Sequence, residues 1–267
     1  MTSAELGVFG GSGFYTFLDD VAEVTVETPY GATSAPVAIG RVGDRRVAFI
    51  PRHGHGHTIP PARIPQRANL WALRTLGVRT VLGPCAVGSL RRDIEPGDFV
   101  VLDQLVDRTR GREDTFYDGD TVHHVSFADP YCPVVRAHAV DAAIETGVKA
   151  HASGTIVVIN GLRFSTRAES RWYRAQGWDV VGMTQYPEAY LARELGMHYA
   201  GIALVTDYDT GVEDDPGVEA VTMDAVFAVM DANVGRVRGL LHELLPKLPA
   251  DPTECACAAA LGPLPHA

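Results

Sequence analysis

The apolar run HYAGIALVTDYD ends in Thr206, Asp207, Tyr208 and Asp209. Asp207 and Asp209 are two positions apart in a β-patterned stretch, so they face the same side wherever the extended geometry persists. Two carboxylates in a partly buried place raise each other's pKa, which lets one stay protonated and act as a proton donor. The alternative is a solvated turn before Gly211.

Three other segments carry groups suited to an anion or a small ligand. GGSGF at 10–14 follows a β-patterned run, and its glycines let backbone N–H groups approach phosphate oxygens, with the Ser12 hydroxyl beside them. It lacks the final glycine of a dinucleotide fingerprint and has no Gly-Lys-Ser/Thr, so it is neither that motif nor a Walker loop; a tight turn is the alternative. PRHGHGH at 51–57 offers the Arg52 fork and a neighbouring His53 as donors to phosphate, with His55 and His57 following on a glycine-spaced loop. Three alternating histidines can also bind a metal, but no acidic or cysteine ligand is close in sequence, and no metal site is expected. GPCAVGS at 83–89 puts small residues at a strand end, where backbone donors can face a ligand. Cys85 has no local cation to activate it and reads as a buried structural thiol.

These residues need strands that end together. Leu6 to Phe9 reads as a strand running into glycines, and Pro36 to Ile39 with Val47 to Ile50 as a hairpin about Gly43 and Asp44. QRANLWALRTLG has helical spacing with Gly77 as its stop, and a buried strand follows over VRTVLGPC. Phe99 to Leu102, Thr155 to Ile159 and Asp179 to Met183 read as further strands. Helices are expected over Val134 to Lys149, over Ala168 to Gln176, from Pro187 to Gly196, and over Met223 to Leu245 with Thr222 as N-cap. This alternation predicts an α/β fold, a single domain with a central mixed, largely parallel sheet flanked by helices. In such sheets ligands collect at the carboxyl ends of strands, where the loaded segments lie, GMTQYPE at 182–188 among them. The domain is expected over 1–248, with 249–267 a Pro- and Ala-rich, loosely ordered C-terminal extension.

The chain of 267 residues has 23 Lys+Arg against 33 Asp+Glu, a net charge of −10. That balance argues against a sequence-independent grip on nucleic acid or anionic lipid, so no nucleic-acid or membrane partner is expected. No basic leader with a long apolar run opens the chain, and no stretch has the length a membrane span needs. Cys85 and Cys132 sit singly in apolar surroundings and read as reduced thiols, which places the protein in the cytoplasm. Cys255-x-Cys257 has no evident second pair and reads as an incidental feature of the tail.

The ordered set GGSGF, RHGHGH, RANLWAL, GSLRRDIEPGDFVVLDQLVDRT, FYDG, ADPYCP, GLRFSTRAES, GMTQYPEA and TDYD resembles the methylthioadenosine phosphorylase branch of the trimeric purine nucleoside phosphorylase family, from Leu6 to about Leu245. The resemblance implies a phosphorylase/hydrolase-like fold and phosphorolysis of 5′-deoxy-5′-methylthioadenosine to adenine and a ribose 1-phosphate. It implies inorganic phosphate as co-substrate with no metal or organic cofactor. By matching position, Ser12, Arg52, His53, Ala86 and Thr184 contact phosphate and Met183 lies against the ribose. Phe164 and Ser165 line the base pocket, and Asp207 and Asp209 address the purine N7 and N6. His57, Met223, Val226 and Phe227 meet the 5′-substituent. It also implies a homotrimer or a dimer of trimers, with a neighbouring subunit completing the 5′ side; His123, His124 or Phe127 are candidates for that residue.

The sequence departs from the family pattern at several positions. Cys85 stands where a phosphate-contacting Thr is usual, Gly182 where Asn is common before Met183, and Leu162 where Pro is usual. Gln185 and Tyr186 replace small or apolar residues, and the bulky Tyr186 is expected to reshape the ribose side. Two other readings stay open: phosphorolysis of 6-oxopurine nucleosides such as methylthioinosine or inosine, and a nucleoside-binding protein without turnover.

Overall fold

A computed structural model describes residues 3–10, 18–210, 212 and 221–263. The β-branched runs become strands β1 (Leu6–Gly10), β2 (Asp19–Val24), β3 (Val37–Val42), β4 (Arg45–Pro51), β5 (Thr80–Ser89), β6 (Phe99–Val101), β7 (Gln104–Asp107), β8 (Ala150–His151), β9 (Thr155–Val158), β10 (Val180–Gly182) and β11 (His198–Tyr208). Helices α1 (Gln66–Thr75), α2 (Pro133–Thr146), α3 (Arg167–Ala175), α4 (Gln185–Glu194) and α5 (Met223–Lys247) alternate with them. The expected hairpin forms around Gly43 and Asp44, where Val42 pairs with Arg45 in antiparallel register.

The strands form one sheet, and parallel pairings outnumber antiparallel ones, as expected. The path β2-β3-β4-β1-β5-β10-β9-β7 carries a branch in which β11 pairs with β5 and β6, and β6 with β8. β5 changes neighbour along its length: Thr80 to Leu82 lie beside β1, whereas Gly88 and Ser89 lie beside β10. β11 runs parallel to β5 throughout. This opening between β1 and β10 sets the carboxyl halves of β5, β10 and β11 around one cleft.

Both faces of the sheet are covered. Leu70 and Leu73 of α1 and Leu191 of α4 pack on one face. Val135 and Ala139 of α2 and Leu240 and Leu241 of α5 pack on the other. β11 is buried from His198 through Thr206, which explains why it reads as a continuous apolar run without alternation. Among the described residues, no helix is long and apolar enough to cross a membrane.

Some element ends differ from expectation for local reasons. Helix α2 stops at Thr146, not Lys149, because Gly147 adopts φ +68° and its N–H caps the Ala143 and Ile144 carbonyls. Helix α3 starts on a reciprocal capping box between Thr166 and Glu169. Thr222 caps α5 as expected, its side chain accepting from the Ala225 N–H at 3.2 Å. Strands β2, β7 and β8 have no counterpart in the sequence reading; β2 is exposed along most of its length and has no apolar stripe to betray it.

The tail does not behave as a loose extension. Thr80 Oγ1 donates to the carbonyls of Pro249 and Ala250, at 3.1 and 2.9 Å. Cys257 is buried, and a short 3-10 turn follows over Ala258–Ala260. Up to residue 263 the Pro- and Ala-rich segment is held at these points, while most of its residues stay exposed.

Candidate active site

Strand β11 delivers the two carboxylates through a break in its own register. Val205 pairs with Val87 and Asp207 with Gly88, so Thr206 is an extra residue bulged against β5. The bulge turns Asp207 into the cleft, where Thr206 Oγ1 donates to its Oδ1 at 2.7 Å. Asp209 is fixed by its backbone, its N–H donating to Ser89 O at 2.8 Å. Gly88 keeps this corner open, since a Cβ there would stand 3.0 Å from Asp207 Oδ2 and press on the carboxylate.

Burial pushes the Asp207 carboxyl up to about 6, against the opposing bond from Thr206 and with a smaller push from Asp209. Burial raises Asp209 as well. Among the described residues, Asp209 Oδ2 and Ser165 Oγ are buried in the cleft lining with no hydrogen bond within 3.5 Å, though the Ser170 and Ser165 hydroxyls stand near enough to oppose the rise in the Asp209 carboxyl. Buried polar atoms without a close partner cost free energy, and a ligand in the cleft is one group that can complete them.

The opposite wall is built on the β4–α1 connection. Arg52 follows β4, is 1% exposed, and spends its fork on Glu188: Nε donates to Oε2 and Nη2 to Oε1, both at 2.7 Å. Its Nη1 donates to Pro84 O at 3.0 Å. Glu188 Oε1 also accepts from Tyr199 Oη at 2.5 Å, so one buried carboxylate ties α4, β4 and β11 together. The Arg52 fork is directed differently from the sequence expectation. Its bidentate face is not turned to an anion, and what it offers the cleft is positive charge and its remaining N–H bonds. Gly83 leaves room for this cluster, since a Cβ there would lie 1.8 Å from Tyr199 Oη.

His53 also changes role. Its Nδ1 sits 2.8 Å from Ile59 O, an atom that can only accept, so Nδ1 carries the proton. Burial, with a smaller contribution from Arg52, lowers the imidazole to about 4, and the ring is neutral near pH 7. Its Nε2 is therefore an acceptor and not the second donor that the sequence suggests. An acceptor of this kind suits a protonated phosphate oxygen. The His57 ring stacks on His53 with centroids 4.2 Å apart.

The structure brings the rest together. Cys85, Ala86, Met183, Thr184, Phe164, Ser165, Met223 and Val226 line the same cleft as Arg52, His53, His57, Asp207 and Asp209. Thr184 stands at the N-cap position of α4, with no cap bond from its side chain. Phe227 lies just outside the lining, its ring edge-on to His57 at 6.4 Å. Ser12 lies outside the described residues. Burial drives the Cys85 thiol up to about 12, in keeping with a structural thiol. Tyr186 does not shape the ribose side: its hydroxyl donates to Asp114 Oδ2 at 2.7 Å and its ring stacks on Tyr190, away from the cleft. Leu162 and Gly182 do line it.

A sequence profile of the Phosphorylase superfamily matches residues 5–246. The chain belongs to this superfamily. Among its relatives, a purine nucleoside phosphorylase of Streptomyces coelicolor is 56% identical, covering 97% of this chain and 95% of its own. An S-methyl-5′-thioadenosine phosphorylase of Mycolicibacterium smegmatis is 55% identical, with 96% of each chain covered. In three dimensions this superfamily member is similar to a methylthioadenosine phosphorylase from Schistosoma mansoni in complex with adenine, at a TM-score of 0.90 and 39% identity over 97% of this chain and 96% of that one.

Sequence reading missed Glu188 and Tyr199, which position Arg52, and gave Thr206 no task. A signal for Glu188 was present. It sits on α4 among Ala189, Leu191 and Ala192, all buried, and an acid on such a face needs a cation to neutralise it.

Proposed function

We propose that this phosphorylase cleaves the N-glycosidic bond of 5′-deoxy-5′-methylthioadenosine, or a closely related 5′-modified purine nucleoside, using inorganic phosphate and giving adenine and 5-methylthioribose 1-phosphate. The observation that carries the reading is the pairing in one cleft of a carboxyl raised to about 6, Asp207, with a second buried carboxyl, Asp209, and the buried Ser165 hydroxyl. A phosphate oxygen attacks C1′, the C1′–N9 bond breaks, and its electron pair moves into the purine. Protonated Asp207 donates to N7, so the base leaves neutral and Asp207 is left as a carboxylate that regains its proton from solvent. Arg52 and the N–H groups about Ala86 and Thr184 hold the anion, while neutral His53 accepts from its P–OH.

Ionised Asp209 is acceptor-only and suits the C6 amine of adenine. The 5′ side, bounded by His57, Met223, Val226 and Phe227, favours an apolar methylthio group; burying one methylene contributes roughly 0.8 kcal/mol, so the preference is graded. A second reading is favoured by the rise in the Asp209 pKa. A protonated Asp209 would donate to O6 of a 6-oxopurine, and the Streptomyces coelicolor relative carries the broader name of purine nucleoside phosphorylase.

A substrate panel with and without phosphate decides. Release of adenine from methylthioadenosine only when phosphate is present, with kcat/KM at least tenfold above inosine and methylthioinosine, is the expected result. Equal release without phosphate overturns phosphorolysis, and a higher value for the 6-oxo substrates selects the second reading. The proposal includes a trimeric assembly in the cytoplasm; light scattering giving a monomer would remove the trimer.

A further inference from the structure

Far from the cleft, four metal-binding side chains converge from three parts of the chain. Cys132 occupies the N-cap position of α2, His198 opens β11, and Cys255 and Cys257 come from the tail. One ligand atom from each lies within 4.8 Å of all the others. The Cys132 and Cys255 sulfurs are 3.6 Å apart, and His198 Nδ1 is 3.7 Å from Cys132 Sγ and 3.1 Å from Cys255 Sγ. A tetrahedral zinc ion with bonds of ~2.3 Å to sulfur and ~2.05 Å to nitrogen sets these edges at about 3.8 Å between sulfurs and about 3.6 Å from sulfur to nitrogen. A disulfide, by contrast, needs sulfurs about 2.05 Å apart, and all four cysteines of the protein are unpaired thiols.

We propose that Cys132, His198, Cys255 and Cys257 form a structural zinc site that fastens the C-terminal tail to the sheet. Three thiolates and one imidazole are a closed, soft-to-borderline donor set that zinc prefers over hard cations. The surroundings already meet the needs of such a site. His198 is fully buried, and its Nε2–H donates to Asp251 Oδ1 at 3.0 Å, a bond that fixes the tautomer with Nδ1 free to ligate. Cys132 is held by its own backbone, whose N–H donates to Tyr199 O at 2.8 Å. Cys132 and Cys257 are buried and Cys255 is half-buried, which gives the ion an entry path from the tail side. The ligands are 123 and 57 residues apart along the chain, so the ion closes long loops. With every position taken by protein, the site has no opening for a substrate, and its task is to hold structure.

The reduced full-length protein, stripped by a chelator, is titrated with cobalt(II) and then with zinc. One cobalt per chain is expected, with the visible bands of tetrahedral cobalt and thiolate charge-transfer absorption, bleached by stoichiometric zinc at nanomolar or tighter affinity. The Cys255→Ser/Cys257→Ser double variant, which leaves Cys132 and His198 in place, is expected to lose these bands, to fall several degrees in Tm and to keep the kcat of the parent. Overturning results are a reduced, folded chain that takes up no cobalt, bands that survive in the double variant, and a protein two hydrogens lighter per disulfide that gives no cobalt spectrum after reduction.

Discussion

The two ends of β11 treat buried polar groups in opposite ways. At its amino end His198 is surrounded by partners: two sulfurs within 3.7 Å on Nδ1 and the Asp251 carboxylate on Nε2. At its carboxyl end, among the described residues, Asp207 has one hydroxyl donor and Asp209 Oδ2 has no hydrogen bond within 3.5 Å. The same strand is therefore fastened at one end and held in an unfavourable electrostatic state at the other. The general lesson is that burial alone does not mark function. Groups that complete one another hold structure, and groups left incomplete around a cleft are where a ligand does the completing.

This contrast is sharpest in a single variant at the carboxyl end. Asp207→Ala is expected to lower kcat/KM by about 10² to 10⁴, the usual contribution of a general acid, while thermal unfolding stays cooperative. A loss of less than tenfold in stopped turnover assays would show that the proton comes from elsewhere.

Stability should move the other way at this position. A carboxyl raised from 3.8 to about 6 binds more protons folded than unfolded, so its penalty is absent below pH about 4 and fully present above about 6. Asp207→Asn is thus expected to raise Tm at pH 8, by relief of roughly 2 to 3 kcal/mol, and to leave it unchanged near pH 4. The same titration makes kcat/KM of the parent fall as pH rises through about 6. Calorimetry at the two pH values is the check, and equal shifts at both would remove the assigned penalty.

Glu188 belongs to both regimes, since it joins Tyr199 of β11 to the Arg52 that faces the cleft. Glu188→Ala leaves a buried guanidinium unpaired, at about 3 to 5 kcal/mol, or roughly 6 to 20 °C in Tm, and should raise the KM for phosphate. A variant that loses neither stability nor phosphate affinity would break the division between fastening and working groups. Smaller still, Thr206→Val removes the hydroxyl that holds Asp207 down, so the alkaline limb of kcat/KM should move up in pH; an unmoved limb would assign that limb to another group. Least affected is Phe227→Ala, expected to raise the KM for a methylthio nucleoside less than threefold, because the ring stands outside the lining.

The comparison also marks what the sequence makes visible. Asp207 and Asp209 are legible because an apolar run ending in two acids is a local pattern. The bulge at Thr206 is not, since register depends on β5, a strand more than a hundred positions earlier. Arg52 is legible as a cation beside a strand end, yet its direction is set by Glu188, 136 residues away, and its fork turned out to face the protein. The thiol–imidazole cluster stayed hidden for the same reason. Cys255 and Cys257 read as an incidental pair in the tail, because the groups they meet are a cysteine and a histidine with no shared spacing. The order of strands and helices was readable from periodicity and stop signals, while the exposed β2 and the short β7 and β8 lacked an apolar stripe to reveal them.

Gly88 sets how much space the proposed proton donor keeps. With Asp207 Oδ2 3.0 Å from where a Cβ would sit, a larger residue at position 88 presses on the acid and must shift it by a few tenths of an ångström. The cleft wall has more room to vary at Asp209 and on the loop that bears Phe164 and Ser165, the residues proposed to meet the base. Mutant libraries aimed at new nucleobases should be spent on that loop, leaving β5 untouched.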